Sequence, residues 1–170
     1  SFAEFSADRP QVVGGSNLDT RKAAFADAFV RRAEFQGKYR SATTASSFVD
    51  ALLQTVKQSS GMDLSSQRDA LVSKYSTGGD MNQSRSLVLR DLVENDAFKQ
   101  AEYNPSFVLM EYFGYLRRDP DQGGFNFWLD VLNNRVPGNY RSMVCAFITS
   151  AEYQQRFSSV VTHRNEECGS

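Results

Sequence analysis

The chain has 170 residues, with 19 lysines and arginines against 20 acids, a formal net charge of -1 and a hydrophobic content of 41%. That balance describes a soluble globular protein with one sizeable core, or two small units sharing one, and excludes a disordered tail. No block of like charge marks a nucleic-acid partner, and no apolar run approaches the ~20 residues a membrane span requires.

The opening stretch SFAEFSADRPQVVGGSN carries Pro10 and the pair Gly14 and Gly15. It predicts an extended N-terminal arm over residues 1–18. The chain starts at Ser1 without a methionine or a charged-then-apolar signal segment, so a processed mature product or an excised portion is expected, with room for a signal before it. Apolar residues at helical spacing then predict helices near 19–38, 46–58, 64–75, 81–102, 104–118, 121–134 and 139–157. A polar tail follows, 159–170. The turns Ser76 to Asp80 and Asn134 to Asn139 hold the glycines and proline that end helices. No stretch alternates strictly enough to be a strand.

Three stretches share an aromatic pattern. Phe29 stands six before Phe35, Leu92 six before Phe98, and Phe147 six before Tyr153. Six is not the spacing of one helix face, which favours three, four or seven. Each motif therefore reads as a helix, a break and a second short helix. Asn95 and Ser150 stand where the new helix would be capped, whereas the first copy has Arg32, so its break is expected to be weaker or absent. Between these motifs, two stretches open with Ser-Phe-Val, at Ser47 and Ser106, and each reads as helix, glycine-containing junction, helix. The expected fold is an all-α bundle of about seven helices built from two pseudo-repeated helix pairs. One domain spans 19–158, with a weak repeat at 19–78 and a well-kept one at 81–158.

The segments FVLMEYFGYLRRDPDQGGFNFWLDVLN and MVCAFITSAEYQQRF resemble a bacterial domain of unknown function related to the phycobilisome linker domain, the DUF four-two-one-four family. The family pattern is met by Leu116, Arg118, Pro120, Asp121, Gly124, Trp128, Ala146, Phe147, Ser150, Glu152 and Tyr153. The resemblance reaches back through Phe29 and Phe98, while the stretch around Gly61 and Asp63 lacks the Pro-Asp and tryptophan. It implies an all-helical fold found in secreted or surface proteins, without established catalytic activity, whose linker relatives act by binding other proteins.

The stretch from Tyr115 to Asn134 has two readings. As a calcium loop, Asp119, Asp121 and Asp130 would supply ligands, with glycine at the sharp turn, but too few oxygens remain for tight binding. As a helix junction, Pro120 and Asp121 start a helix, the glycines allow close approach, and Trp128 faces the core. The junction is the stronger reading, and no other cofactor is implied. No nucleophile and base are patterned together; His163 lies in the polar tail, so no catalytic residue and no enzyme activity are expected. Tyr112, Tyr115, Arg117 and Arg118 are candidates for a protein contact, because tyrosine and arginine are favoured at hot spots. Cys145 and Cys168 either form a disulfide closing a loop of roughly 20 residues or remain one buried and one exposed thiol. The expected function is a non-enzymatic, secreted or cell-surface assembly module. It would bind a protein, including itself as a homo-oligomer or filament. The alternative is a calcium-dependent adhesive or carbohydrate-binding domain.

Overall fold

The computed structural model describes residues 1–160 and 165–168. Among these residues there is no strand, and the α-helices number eleven: α1 Phe2–Val12, α2 Leu18–Val30, α3 Ala33–Lys38, α4 Ala45–Ser60, α5 Arg68–Tyr75, α6 Met81–Val93, α7 Asp96–Ala101, α8 Tyr103–Glu111, α9 Gln122–Asp130, α10 Tyr140–Ile148 and α11 Ala151–Phe157. The all-helical class is as expected, but the count exceeds seven. Three of the expected long helices are each broken in two, and α1 is added. One π-helical turn, Tyr112–Leu116, continues α8 and another, Val131–Arg135, continues α9.

The breaks have local causes. The Asn95 side chain accepts the Phe98 N–H and starts α7, and the Ser150 hydroxyl accepts the Tyr153 N–H and starts α11. Each cap satisfies a donor that the first helical turn leaves without a partner. The first motif also breaks, contrary to expectation. Arg32 has an extended backbone and offers no capping side chain. Its guanidinium instead holds Asp8 through two bonds of 2.6 and 2.9 Å and lies 4.9 Å from the Phe29 ring centre.

Residues 1–18 are not an extended arm. α1 forms despite Pro10, which removes one backbone donor within it. The Ser1 hydroxyl donates to Glu4, an acid well placed in a first helical turn. Phe2 and Phe5 stack on Phe113, at 6.0 and 5.0 Å between centres. That contact joins residues far apart in the chain, and no local pattern announces it.

The chain divides into two compact units, residues 8–102 and residues 1–7 with 103–170. In the 8–102 unit, α6 packs on α2 and α5, and α5 packs on α4. The turn from Ser76 to Asp80, expected to separate two helix pairs, therefore lies inside this unit. α4 buries Phe48, Val49, Leu52 and Val56, one amphipathic stripe, between a Thr44–Ser47 capping box and Gly61 at φ 73°. Val30, Phe35, Tyr39, Ala42, Leu64, Leu71, Val88 and Leu92 complete the core.

In the unit containing residues 103–170, the core is Val108, Tyr112, Leu116, Leu132, Met143 and Phe147, flanked by Phe107, Phe125, Trp128 and Tyr153. Cys145 on α10 is bridged to Cys168, 23 residues on, with Cα atoms 5.7 Å apart. The bridge restricts the unfolded chain more than the folded one. Reduction is therefore expected to lower the unfolding free energy by about 3 kcal/mol, measured by urea unfolding with and without reductant; the double variant Cys145→Ala, Cys168→Ala should show the same loss.

Candidate functional site

The conspicuous motif forms the connection between α8 and α9. After the π-turn, Arg117 adopts a left-handed conformation at φ 50°, an uncommon one for a residue with a side chain, and reverses the chain. Arg118 then reaches Glu152, in the first turn of α11, through paired bonds of 2.7 and 2.8 Å. The same guanidinium donates to the Asp119 carbonyl at 2.9 Å and lies 5.1 Å from the centre of the Tyr112 ring. Paired bonds in a planar fork fix geometry as well as supplying energy. Glu152 is held below the usual carboxylate range by this hydrogen bonding, and Arg118 is raised by the same contact.

Asp121 caps α9 by accepting the Gly124 N–H at 2.7 Å. Gly124 is required by space: a Cβ there would collide with the Tyr112 hydroxyl and press on the Asp121 carboxylate. Trp128, one turn further, packs against Phe147 at 5.5 Å between centres. Phe147 also meets the Tyr112 ring edge-on at 5.0 Å. Leu116, Tyr112, Trp128 and Phe147 thus share the core that the Arg118–Glu152 clasp covers.

The three carboxylates considered for calcium are engaged separately. Asp119 accepts the Phe2 N–H at 2.7 Å, Asp121 caps α9, and Asp130 accepts from Asn134 at 2.7 Å and Arg135 at 2.6 Å. Hydrogen bonds from Asn134 and then Arg135 hold the Asp130 carboxyl below its ordinary range. Among the described residues, no three His, Cys, Asp or Glu side chains gather where they could hold a metal ion. His163 lies outside the described residues.

The four residues expected to form a protein contact are also placed differently. Tyr112 is only 4% exposed and belongs to the core. Tyr115 is half-buried against Tyr153, at 6.3 Å between centres, and Arg118 is occupied by Glu152. Arg117 alone is exposed, over the Phe157 ring at 5.2 Å. Tyr112 and Tyr115, in the π-turn that continues α8, serve packing here, the commoner use of tyrosine at helical spacing.

Two features escape the sequence reading. Glu111, the last residue of α8, is 5% exposed, and its Oε2 has no hydrogen-bond partner. Burial pushes its carboxyl up to about 7. The sequence signal is an acid inside the apolar run Leu109-Met110-Glu111-Tyr112-Phe113.

The second feature is an apolar groove in the 8–102 unit. Val12, Phe25, Phe29, Leu89 and Val93 line a volume of about 420 Å³ between α2 and α6. At its rim Lys22 pairs with Glu94 at 2.7 Å, and Arg90 pairs with Asp19. A neighbouring recess of about 340 Å³ shares Phe29, Leu89 and Val93. Periodicity shows that a face is apolar, not that another element covers it.

Fold and junction together define an all-helical protein with a two-helix connection closed by an arginine–glutamate clasp. Residues 90–157, from the second half of α6 to the end of α11, match the family model described as Domain of unknown function (DUF4214). This part of the chain is similar to that family, and the match does not extend back to Phe29. No curated protein and no solved structure matches the chain.

The close approach at the junction gives one expected outcome. Gly124→Ala should destabilise the protein by about 1–3 kcal/mol, the usual cost of forcing an added carbon into packed surroundings, as read by chemical denaturation. Glu111 gives another. Its folded pKa of about 7 lies above the ordinary 4.5, so the folded state holds a proton that the unfolded state releases between those values. Its stabilising contribution is complete below pH 4.5 and falls away as pH rises to about 7. Glu111→Gln should remove this slope and leave the variant more stable than the parent at pH 8 by about 3–3.5 kcal/mol, at roughly 1.4 kcal/mol per pKa unit. Urea unfolding of both proteins from pH 4 to pH 8 measures the difference.

Proposed function

We propose that this protein is a non-enzymatic assembly module that pairs with a second copy of itself through the groove between α2 and α6. The observation that carries the reading is the groove itself: an apolar channel open to solvent, with Val93 at its edge 42% exposed. Contiguous apolar surface of this kind marks interaction sites on folded proteins. The rim supports a like partner. Lys22, Arg90, Asp19 and Glu94 supply both signs of charge beside the groove, so a two-fold pairing can set the cations of one copy against the acids of the other.

Two further points support an extracellular or cell-surface setting. The Cys145–Cys168 disulfide suits an oxidising compartment, where such bridges persist. The resemblance to a family related to phycobilisome linkers adds proteins that work by binding other proteins. On this reading the three helix-break-helix segments are diverged copies of one element; the family match takes in the copy from Met143 to Phe157 and all but the start of the copy from Leu87 to Tyr103. A calcium-dependent adhesive function would instead require Asp119, Asp121 and Asp130 to turn toward one ion. That would sacrifice the Phe2 contact, the α9 cap and the Arg135 pair.

Sedimentation velocity over a concentration series tests the proposal. The parent protein should show a concentration-dependent shift toward dimer or larger species, and Val93→Asp should abolish it while leaving the far-ultraviolet circular dichroism unchanged. A parent that remains monomeric at its highest soluble concentration, or a Val93→Asp variant that associates as well as the parent, overturns the reading.

A further inference from the structure

Arg85 lies on α6 in the 8–102 unit and is only 2% exposed. Its Nη2 donates to the Tyr39 carbonyl at 3.1 Å and the Ala42 carbonyl at 2.7 Å, and its Nη1 donates to the Gln36 side-chain oxygen at 3.3 Å. These contacts tie α6 to the turn between α3 and α4, and they account for the side chain's position. They do not account for its charge. All three acceptors are neutral, no carboxylate pairs with Arg85 among the described residues, and its Nε–H has no acceptor. An ionised group withdrawn from water without a counter-ion is costly.

Arg85 also lines a small recess of about 290 Å³, with Gln36, Gly37, Arg40, Thr43 and Met81. The lining contains two guanidinium groups and one hydroxyl, and no acid. Arg40 is exposed, and its side chain makes no hydrogen bond or ion pair among the described residues. The Thr43 hydroxyl is likewise uncommitted there. A recess that offers cationic donors and no anionic acceptor is complementary to an oxyanion, because planar guanidinium forks match carboxylate and phosphate oxygens.

We propose that the recess between Arg40 and Arg85 is a binding site for a small oxyanion, a carboxylate or phosphoryl group, which neutralises the buried charge of Arg85. Arg40 supplies the accessible fork, Thr43 a hydroxyl donor, and Arg85 the fixed positive charge at the back. This site is separate from the groove between α2 and α6 and does not depend on self-association.

Inorganic phosphate and acetate are the probes, titrated separately at constant ionic strength into the full chain. Thermal unfolding and the Arg Nε–H resonances of nitrogen-15-labelled protein provide the readouts. A saturable rise in melting temperature, together with a saturable shift of the Arg85 Nε–H resonance, is expected. Arg40→Gln should weaken binding at least about tenfold, the loss of one charge-assisted contact, and Thr43→Val should weaken it less. Arg40 is exposed and has no partner among the described residues, so its replacement should leave the fold intact. A response to phosphate alone assigns a phosphoryl ligand, a response to acetate alone assigns a carboxylate, and responses to both assign oxyanions generally. If neither anion gives a saturable response, or if Arg40→Gln binds as tightly as the parent, the proposal is overturned.

Discussion

Short helices impose the constraint on which the rest of this structure depends. The longest, α4, has 16 residues, and α3 and α7 have 6 each. An isolated helix below about 12–15 residues is marginal in water, because forming its first turn costs more than one hydrogen bond returns. Each element must therefore be held by caps and by neighbours. Asp80, Asn95, Asp121, Asn139 and Ser150 all cap helices with their side chains, and the Arg118–Glu152 clasp fixes α11 to the turn that leaves α8. Residues 90–157, which match the family model, hold several of these devices: a reversing turn, caps, a glycine where a ring approaches, and an arginine with its acid.

Among the described residues, Glu111 in one unit and Arg85 in the other are buried without an opposite charge, and the two are accommodated differently. Glu111 can become neutral by keeping a proton, and burial moves its carboxyl toward neutrality. Arginine has no such outlet near neutral pH, so Arg85 keeps its charge and surrounds it with carbonyl oxygens and the Phe48 ring, 5.2 Å from the guanidinium carbon. A buried acid without a partner makes stability depend on pH. A buried arginine without one makes the surrounding field available to an anion.

The parts of this arrangement that could be read from the sequence are those whose cause is local. The six-residue interval between Leu92 and Phe98, and between Phe147 and Tyr153, is incompatible with one helix face, and Asn95 and Ser150 supplied the caps. The same interval between Phe29 and Phe35 also spans a break. Arg32 lacks a capping oxygen, but its pairing with Asp8 and its place over Phe29 settle the break by other means. Pro10 and two glycines argued against a helix at the start, yet the docking of Phe2 and Phe5 on Phe113 outweighed them. Tyr112 failed as a surface candidate because residue type says which groups favour interfaces, while burial is decided by what packs above them.

The sequence by itself determined the all-helical class, most of the helix positions, the two capped breaks of the three and the turn chemistry of the α8–α9 connection. These follow from propensity, periodicity and capping, which act over a few residues. Tertiary structure decided that the chain divides between Glu102 and Tyr103, that Glu111 and Arg85 are buried, that α1 is helical, and that the α2–α6 face is left open as a groove. Those outcomes depend on which surfaces meet across long stretches of chain, and a single sequence states the composition of a surface without stating what covers it.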